Sequence, residues 1–183
     1  MTDNSNSAKI RSLTEEEICV GLFADFHRHQ VVNDCWRRGE DGGWTIRPDP
    51  FVDDWSSEDY GYLVNCLKHT ISAGGVVYGA FVEGRLKGFA SVEADRFGRE
   101  GQYMDLTSLH VSEDLRRSGI GKRLFFLAAE YAGECGAAKL YISAHSAAES
   151  QAFYRGLGCV DAEEYKKEHV EAEPYDCQLE YRV

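Results

Sequence analysis

Basic charge is scarce in this chain. Lys and Arg together number 20 against 31 Asp and Glu, for a formal net charge of −11. A face able to bind nucleic acid needs the opposite balance, so DNA and RNA are not expected partners. Long apolar runs are also missing: nothing in the sequence approaches the ~20 apolar residues of a membrane-spanning helix. The opening "MTDNSNSA" is polar and does not read as a signal peptide. A cytoplasmic protein with no membrane partner is expected. The six cysteines, at 19, 35, 66, 135, 159 and 177, form no C-x-x-C pair, so they are expected to be reduced thiols, most of them buried. The histidines lack metal spacing: His27 and His29 are two apart, the rest are isolated, and no H-E-x-x-H occurs, so no metal is expected.

What is present is an ordinary globular composition, 43% hydrophobic and 28% charged over 183 residues, which fits one domain. Residues 1–8 read as a loose tail and 9–183 as the domain. "KIRSL" (9–13) reads as a short strand. Thr14 and Glu17 have capping-box spacing, which predicts a helix to about His29. Strand-like pieces flank Gly39–Gly43 as a hairpin or long loop, and Pro48 and Pro50 are expected to break regular structure after it. A helix follows from Ser56 or Ser57 to about Ser72, then two strands joined at Glu83–Gly84. "QYMDLTSLHV" (102–111) is a further strand. Ile120, Leu124, Leu127 and Tyr131 make one face of a helix that Gly136 ends. "AKLYISAH" (138–145) is a buried strand. Ser146 and Glu149 have the spacing of a second capping box, starting a helix to Gly158, and strand candidates lie at 159–165 and 176–183. The β–α–β unit at 102–145 demands a parallel pair, and the strands before it look hairpin-connected. A mixed α/β sheet with helices on both faces follows.

Against the acidic background, "LRRSGIGKRLFFLA" (115–128) gathers Arg116, Arg117, Lys122 and Arg123 around two glycines at the start of a helix. A helix N-terminus carries unpaired N–H groups and about half a positive charge. Gly119 and Gly121 remove side chains there, so an anion can approach the backbone. The pattern is that of a phosphate or pyrophosphate cradle. It is not a nucleotide P-loop, because G-x-x-x-x-G-K-S/T would need glycine at Arg116 and Ser or Thr at Arg123. It is not the dinucleotide G-x-G-x-x-G either, because the third glycine would fall on Leu124. The plain alternative is a strand–turn–helix connection with solvated basic residues.

Residues 116–121, R-R-S-G-I-G, match R/Q-x-x-G-x-G/A between a strand and an amphipathic helix. Together with "FYRGLG" (153–158) at the expected separation, they resemble the GNAT superfamily of acyl-CoA-dependent N-acetyltransferases over roughly residues 76–160. The resemblance implies a single-domain α/β fold, with a mostly antiparallel central sheet, helices on both faces and a splayed parallel strand pair. It implies acetyl-CoA as cosubstrate. Its pyrophosphate would lie on the backbone amides of Arg117, Ser118, Gly119, Ile120, Gly121 and Lys122, with Arg116 bracing the loop or touching phosphate. Leu109, His110 and Val111 would pair with the pantetheine arm. The family often has Asn seven residues before its helix tyrosine. Here that position is Ala147, so Ser146 or Ser150 would contact pantetheine instead.

The resemblance places the general acid at Tyr154. A phenol of pKa about 10 can donate to a departing thiolate whose acid has a pKa near ~8.5; the plain alternative is packing. A lysine-like acceptor amine is neutral only about once in a few thousand molecules at pH 7. Glu93 and Asp105, on predicted central strands, are the candidate bases, and each could equally face solvent or pair with an arginine. Upstream, Trp36, Trp44, Phe51, Trp55, Tyr60 and Tyr62 interleave with Asp49, Asp53 and Asp54. Aromatic walls with carboxylates suit a small cationic amine, although tryptophans are equally good core residues. Three readings stay open at this point: acetyl transfer to a small amine or to a protein or peptide amine, a non-catalytic acyl-CoA sensor, and a generic phosphate binder. The acceptor's identity and any homodimer are not legible.

Overall fold

The computed structural model describes residues 8–183. The tail expected at 1–8 lies outside the described residues except for Ala8, which is buried. The elements, in chain order, are β1 (Lys9–Ser12), β2 (His29–Arg38), β3 (Trp44–Asp54), α1 (Ser57–Ser72), β4 (Val76–Val82), β5 (Arg85–Val92), β6 (Tyr103–Val111), α2 (Ile120–Glu134), β7 (Lys139–Ala144), α3 (Ala148–Gly156), β8 (Val160–Asp161), α4 (Lys167–Ala172) and β9 (Cys177–Arg182). Seven strands form a mixed sheet in the order β1-β4-β5-β6-β7-β9-β8, and β2 and β3 make a separate two-stranded ribbon. Strands β1, β4 and β5 pair antiparallel, as do β7, β8 and β9. Strands β6 and β7 are parallel over Tyr103–Asp105 and Lys139–Tyr141. Their ladder ends there, although β6 continues to Val111. Among the described residues no helix is long and apolar enough to cross a membrane.

The chain forms two compact units, 8–29, Asp54–Ala94 and Thr107–Ala128 in the first, and Gln30–Asp53, Asp95–Leu106 and Ala129–Val183 in the second. Strand β6 and helix α2 each begin in one unit and end in the other. The first unit is built on Leu13, Ile18, Phe23, Phe26, Leu67, Val77 and Phe89, with edge-on contacts of Phe23 to Phe26 at 6.0 Å and to Phe89 at 5.4 Å. Ile18, Phe23 and Phe26 are spaced by five and three, not on an unbroken helical stripe. The segment accordingly folds as two 3₁₀ turns, Glu15–Glu17 and Val20–Phe23, in place of the helix expected over 14–29. The Thr14–Glu17 reciprocity survives: the Thr14 amide donates to Glu17 Oε2 at 2.9 Å. Helix α1 starts where expected. The Ser56 amide donates to Asp59 Oδ2 at 2.7 Å, and the Asp59 amide to Ser56 Oγ at 3.3 Å.

In the second unit Tyr103 and Tyr141 are fully buried side by side, with Phe97 stacked on Tyr103 at 5.1 Å. Pro48 and Pro50 lie within β3 and do not break it. Spaced by two, they lack an N–H on the same edge, and a two-stranded ribbon leaves one edge unpaired. Strand β8 is only two residues long, and the chain beyond it forms α4, which the sequence pattern did not announce. Cys35, Cys159 and Cys177 are buried, but Cys19, Cys66 and Cys135 are exposed, so the expectation that most are buried holds for half of them.

Candidate active site

The loop that follows β6 is tied down on the first unit. Ser112 is fully buried. Its amide donates to the Lys87 carbonyl at 2.9 Å, and its hydroxyl accepts from the His27 amide at 3.0 Å and donates to Asp114. Lys87, itself 8% exposed, donates to the Asp25 carbonyl at 2.7 Å and to Asp114 Oδ2 at 2.8 Å. Burial pushes the Asp114 carboxyl up, but the hydrogen bonds from Lys87 and Ser112 outweigh it and hold the group below its usual range. The Arg116 guanidinium donates to the His29 carbonyl and so ties the loop to the first residue of β2. Ser118 Oγ donates to the Leu115 carbonyl.

From this anchored base Arg117 (φ 63°) and Gly119 (φ 85°) turn the chain through left-handed backbone into α2. A Cβ at Gly119 would meet nothing within 4 Å, so the approach to the turn is open. The Arg123 amide bonds the Gly119 carbonyl at 3.1 Å, one helical turn back. The N–H groups of Ile120, Gly121 and Lys122 therefore point out of the helix end. Arg117, Ser118, Gly119, Lys122 and Arg123 are exposed. An open mouth, orphan amides and exposed cations fit the pyrophosphate of CoA. The first turn of α2 stands close over β5, where Gly88 leaves the room: a Cβ there would lie 2.7 Å from Ile120 Cγ2 and 3.0 Å from Leu124 Cδ1.

Leu109, His110 and Val111 are half-buried on β6. The His110 ring packs edge-on to Trp55 at 4.8 Å and against Phe89 at 5.3 Å. Burial, reinforced by Arg28 and Arg116, pushes its pKa down to about 3, so the ring is neutral at physiological pH. Glu93 follows the end of β5, and its Oε1 accepts from Thr70 at 2.7 Å and Thr107 at 3.1 Å.

The second unit holds Tyr154, half-buried on α3. Burial, then the nearby Cys159 and Asp176, push its phenol above the usual value, so it is protonated at neutral pH and is a donor. Ser150 is half-buried on the same helix. Ser146 does not cap that helix. Its hydroxyl accepts from Arg37 Nη1 at 2.7 Å, so the helix starts after Ala147, whose amide bonds His145 Nδ1 at 3.0 Å. Asp105 is fully buried, and its Oδ2 meets Lys166 Nζ at 2.8 Å and His169 Nε2 at 2.6 Å. Glu93 and Asp105 thus belong to different units.

The aromatic segment also divides, with Trp36, Trp44 and Phe51 in the second unit and Trp55, Tyr60 and Tyr62 in the first. Several of its rings already carry the chain's own arginines: Arg38 over Trp44 at 4.2 Å, Arg155 over Trp36 at 4.4 Å and Arg28 over Trp55 at 5.6 Å. Asp49 pairs with Arg37, and Tyr60 donates to the Phe26 carbonyl at 2.9 Å. Among the described residues no group of His, Cys, Asp or Glu is placed to hold a metal. Sequence reasoning did not single out Asp176, Gln151 or Ser143, which lie in the same unit as Tyr154. Nothing in their spacing marked them.

The model of the acetyltransferase (GNAT) family matches residues 41–159, more than half of the chain. The chain belongs to the GNAT acetyltransferase family. No curated protein sequence matches this acetyltransferase. Solved structures share its fold at low identity. A nourseothricin acetyltransferase is 18% identical with a TM-score of 0.66, over 95% of this chain and 96% of that one. A Bacillus anthracis protein carrying the name streptothricin acetyltransferase, solved with acetyl coenzyme A, is 16% identical with a TM-score of 0.73, over 97% and 99%. The PaiA N-acetyltransferase of Thermoplasma acidophilum, solved with coenzyme A, is 16% identical with a TM-score of 0.59, over 97% and 99%. An acetyltransferase of this family draws its acetyl group from acetyl-CoA.

Proposed function

We propose that this acetyltransferase moves the acetyl group of acetyl-CoA directly to the primary amine of a small cationic molecule. The observation that carries the reading is the loop at 116–121, an open left-handed turn with outward amides and exposed cations, on an anchored base. The amides from Arg117 to Lys122 hold the pyrophosphate, and the main chain at Leu109–Val111 receives the pantetheine arm. Ser146 or Ser150 adds a contact to that arm. The amine attacks the thioester carbonyl, the C–S bond breaks, and Tyr154 gives its proton to the departing sulfur. The acidic balance of the chain favours a cationic acceptor. The names of the nourseothricin and streptothricin acetyltransferases supply probes of that chemistry. Six unpaired cysteines suit a reducing, cytoplasmic location.

The test is thermal unfolding with acetyl-CoA, followed by thiol release with 1,4-diaminobutane, lysine methyl ester and nourseothricin as acceptors. At about 100 times Kd the ligand adds ~2.7 kcal/mol, roughly 5–10 °C at this chain length. The Tyr154→Phe variant is expected to keep that shift and lose turnover by roughly 10²-fold or more. A wild type that binds acetyl-CoA yet releases no thiol with any of these amines overturns the small-amine reading.

A further inference from the structure

Helix α3 is fixed on the second unit by a buried side chain. Gln151, with no exposure, donates to the His145 carbonyl at 2.9 Å and the Ala144 carbonyl at 3.4 Å. It thereby clamps the helix to the last residue of β7 and the one after. Tyr154 lies three residues on, on the same helical face. Ala144 is also the register partner of Cys177, the first residue of β9. Asp176 immediately precedes Cys177. Two independent features, the Gln151 clamp and the β7–β9 register, therefore bring Tyr154 and Asp176 to one end of one strand. The Asp176 carboxylate is close enough to raise the Tyr154 phenol.

Asp176 is held in a defined orientation. Tyr141 donates from its hydroxyl to Gln178 Oε1, and the Gln178 amide donates to Ser143 Oγ at 3.0 Å. With its lone pair engaged, the Ser143 hydroxyl directs its proton to Asp176 Oδ2 at 3.2 Å. The other oxygen, Oδ1, has no protein partner among the described residues. One carboxylate oxygen is thus steered and the other is left to meet a proton donor.

We propose that Asp176 is the general base of the transfer, taking a proton from the acceptor's ammonium group next to Tyr154. The inference rests on the acetyl-transfer reading above. In this step the ammonium N–H bond breaks and its proton passes to Asp176. The freed nitrogen lone pair bonds the thioester carbon and the C–S bond breaks. The sulfur takes the Tyr154 proton, and the second proton lost by the nitrogen restores Tyr154. Asp176 then releases its proton to solvent, so ammonium plus acetyl-CoA give amide, free CoA and one proton.

The surroundings suit that duty. Burial pushes the Asp176 carboxyl up to about 6, with Glu173 of the α4 segment adding to the rise and Ser143 and His169 opposing it. Tyr154 of α3, near enough for Asp176 to raise it, is a neutral phenol. A base of that strength is ionised at pH 7 yet about two units more basic than an ordinary aspartate. Asp105, the carboxylate marked from sequence, is instead fully buried and engaged by Lys166 and His169.

The test compares wild type with Asp176→Asn, Asp176→Glu and Glu173→Gln, using whichever of the three probe amines the wild type acetylates best. Asp176→Asn is expected to keep the acetyl-CoA thermal shift, so that it is folded and loaded. It should lose roughly 10²-fold in kcat at pH 7 and lose the acid limb of the kcat/KM profile near pH 6. Its deficit should shrink as pH approaches the amine's own pKa. Asp176→Glu should restore part of the rate. Glu173→Gln should move the acid limb to lower pH while the plateau stays. If Asp176→Asn keeps both kcat within about twofold and the acid limb, the assignment of Asp176 is wrong while acetyl transfer stands. If the wild type turns over none of the amines, the small-amine reading fails first and takes this inference with it.

Discussion

Gly88→Ala tests whether the cofactor cradle depends on one close approach. The added Cβ would sit 2.7 Å from Ile120 Cγ2 and 3.0 Å from Leu124 Cδ1, with the His110 carbonyl at 3.4 Å. Carbon pairs rest near 3.5–4.0 Å, so the first turn of α2 must retreat by about 1 Å. The strand is held on both sides of the site, because Gly88 and Phe89 pair with Ala80 and Gly79 of β4, with a register shift next to Gly88. Overpacking of this kind costs about 1–3 kcal/mol, a fall in Tm of roughly 3–10 °C at this size. The consequence for function is the sharper readout. The same first turn carries the amides of Ile120, Gly121 and Lys122, so acetyl-CoA affinity measured by calorimetry is expected to weaken by about tenfold or more. Gly61→Ala is the control, because its Cβ meets nothing within 4 Å on helix α1. It should raise stability by about 0.5–1 kcal/mol and leave affinity alone. A Gly88→Ala protein with wild-type Tm and wild-type affinity would refute the close packing of α2 on β5.

Two further outcomes follow from the carboxylates of the second unit. Asp105→Asn removes the charge that holds Lys166 and His169. It should cost about 2–4 kcal/mol, at the low end for a broken buried pair because both partners are partly exposed; urea unfolding reads it directly, and a change below ~1 kcal/mol would show the cluster to be incidental. Asp176 behaves in the opposite sense: with its folded pKa raised to about 6, its contribution to stability is present below pH ~4 and lost as pH rises through 6. Asp176→Asn should therefore gain on wild type by roughly 1–3 kcal/mol between pH 4 and pH 7, and parallel Tm curves across that range would contradict the buried environment described for it.

The parts of the fold legible in the sequence were those set by short-range pattern. The helix start at Ser56 or Ser57, the Glu83–Gly84 turn and the Gly-rich entrance to α2 each encode their geometry within a few residues. The helix pattern was right in extent but rotated in detail. Ile120 and Leu124 are buried as expected, whereas Leu127 and Tyr131 are only half-buried, and Phe125 and Ala128 complete the buried face. Where tertiary packing decides, the pattern misled. Ile18, extended between two 3₁₀ turns, and Phe23, at the end of the second, are core residues, and Ser146 is claimed by Arg37, 109 positions away. The same division runs through the candidate site. The cradle is local. The partners of Asp105 stand 61 and 64 positions away, and Asp176 meets Ser143 across 33. Those separations carry no signature in a single sequence.

The two units are each stitched from three separated stretches of chain, and β6 and α2 pass from one to the other. Neither can therefore be expressed as a contiguous fragment. During synthesis the first unit lacks its last strand residues and helix until Ala128 has emerged, and the second unit lacks everything beyond Leu106 at that point. Loop closure on that scale slows folding. Completion of both units is therefore expected late in synthesis, and truncation from the C-terminus is expected to yield aggregation in place of a smaller working piece.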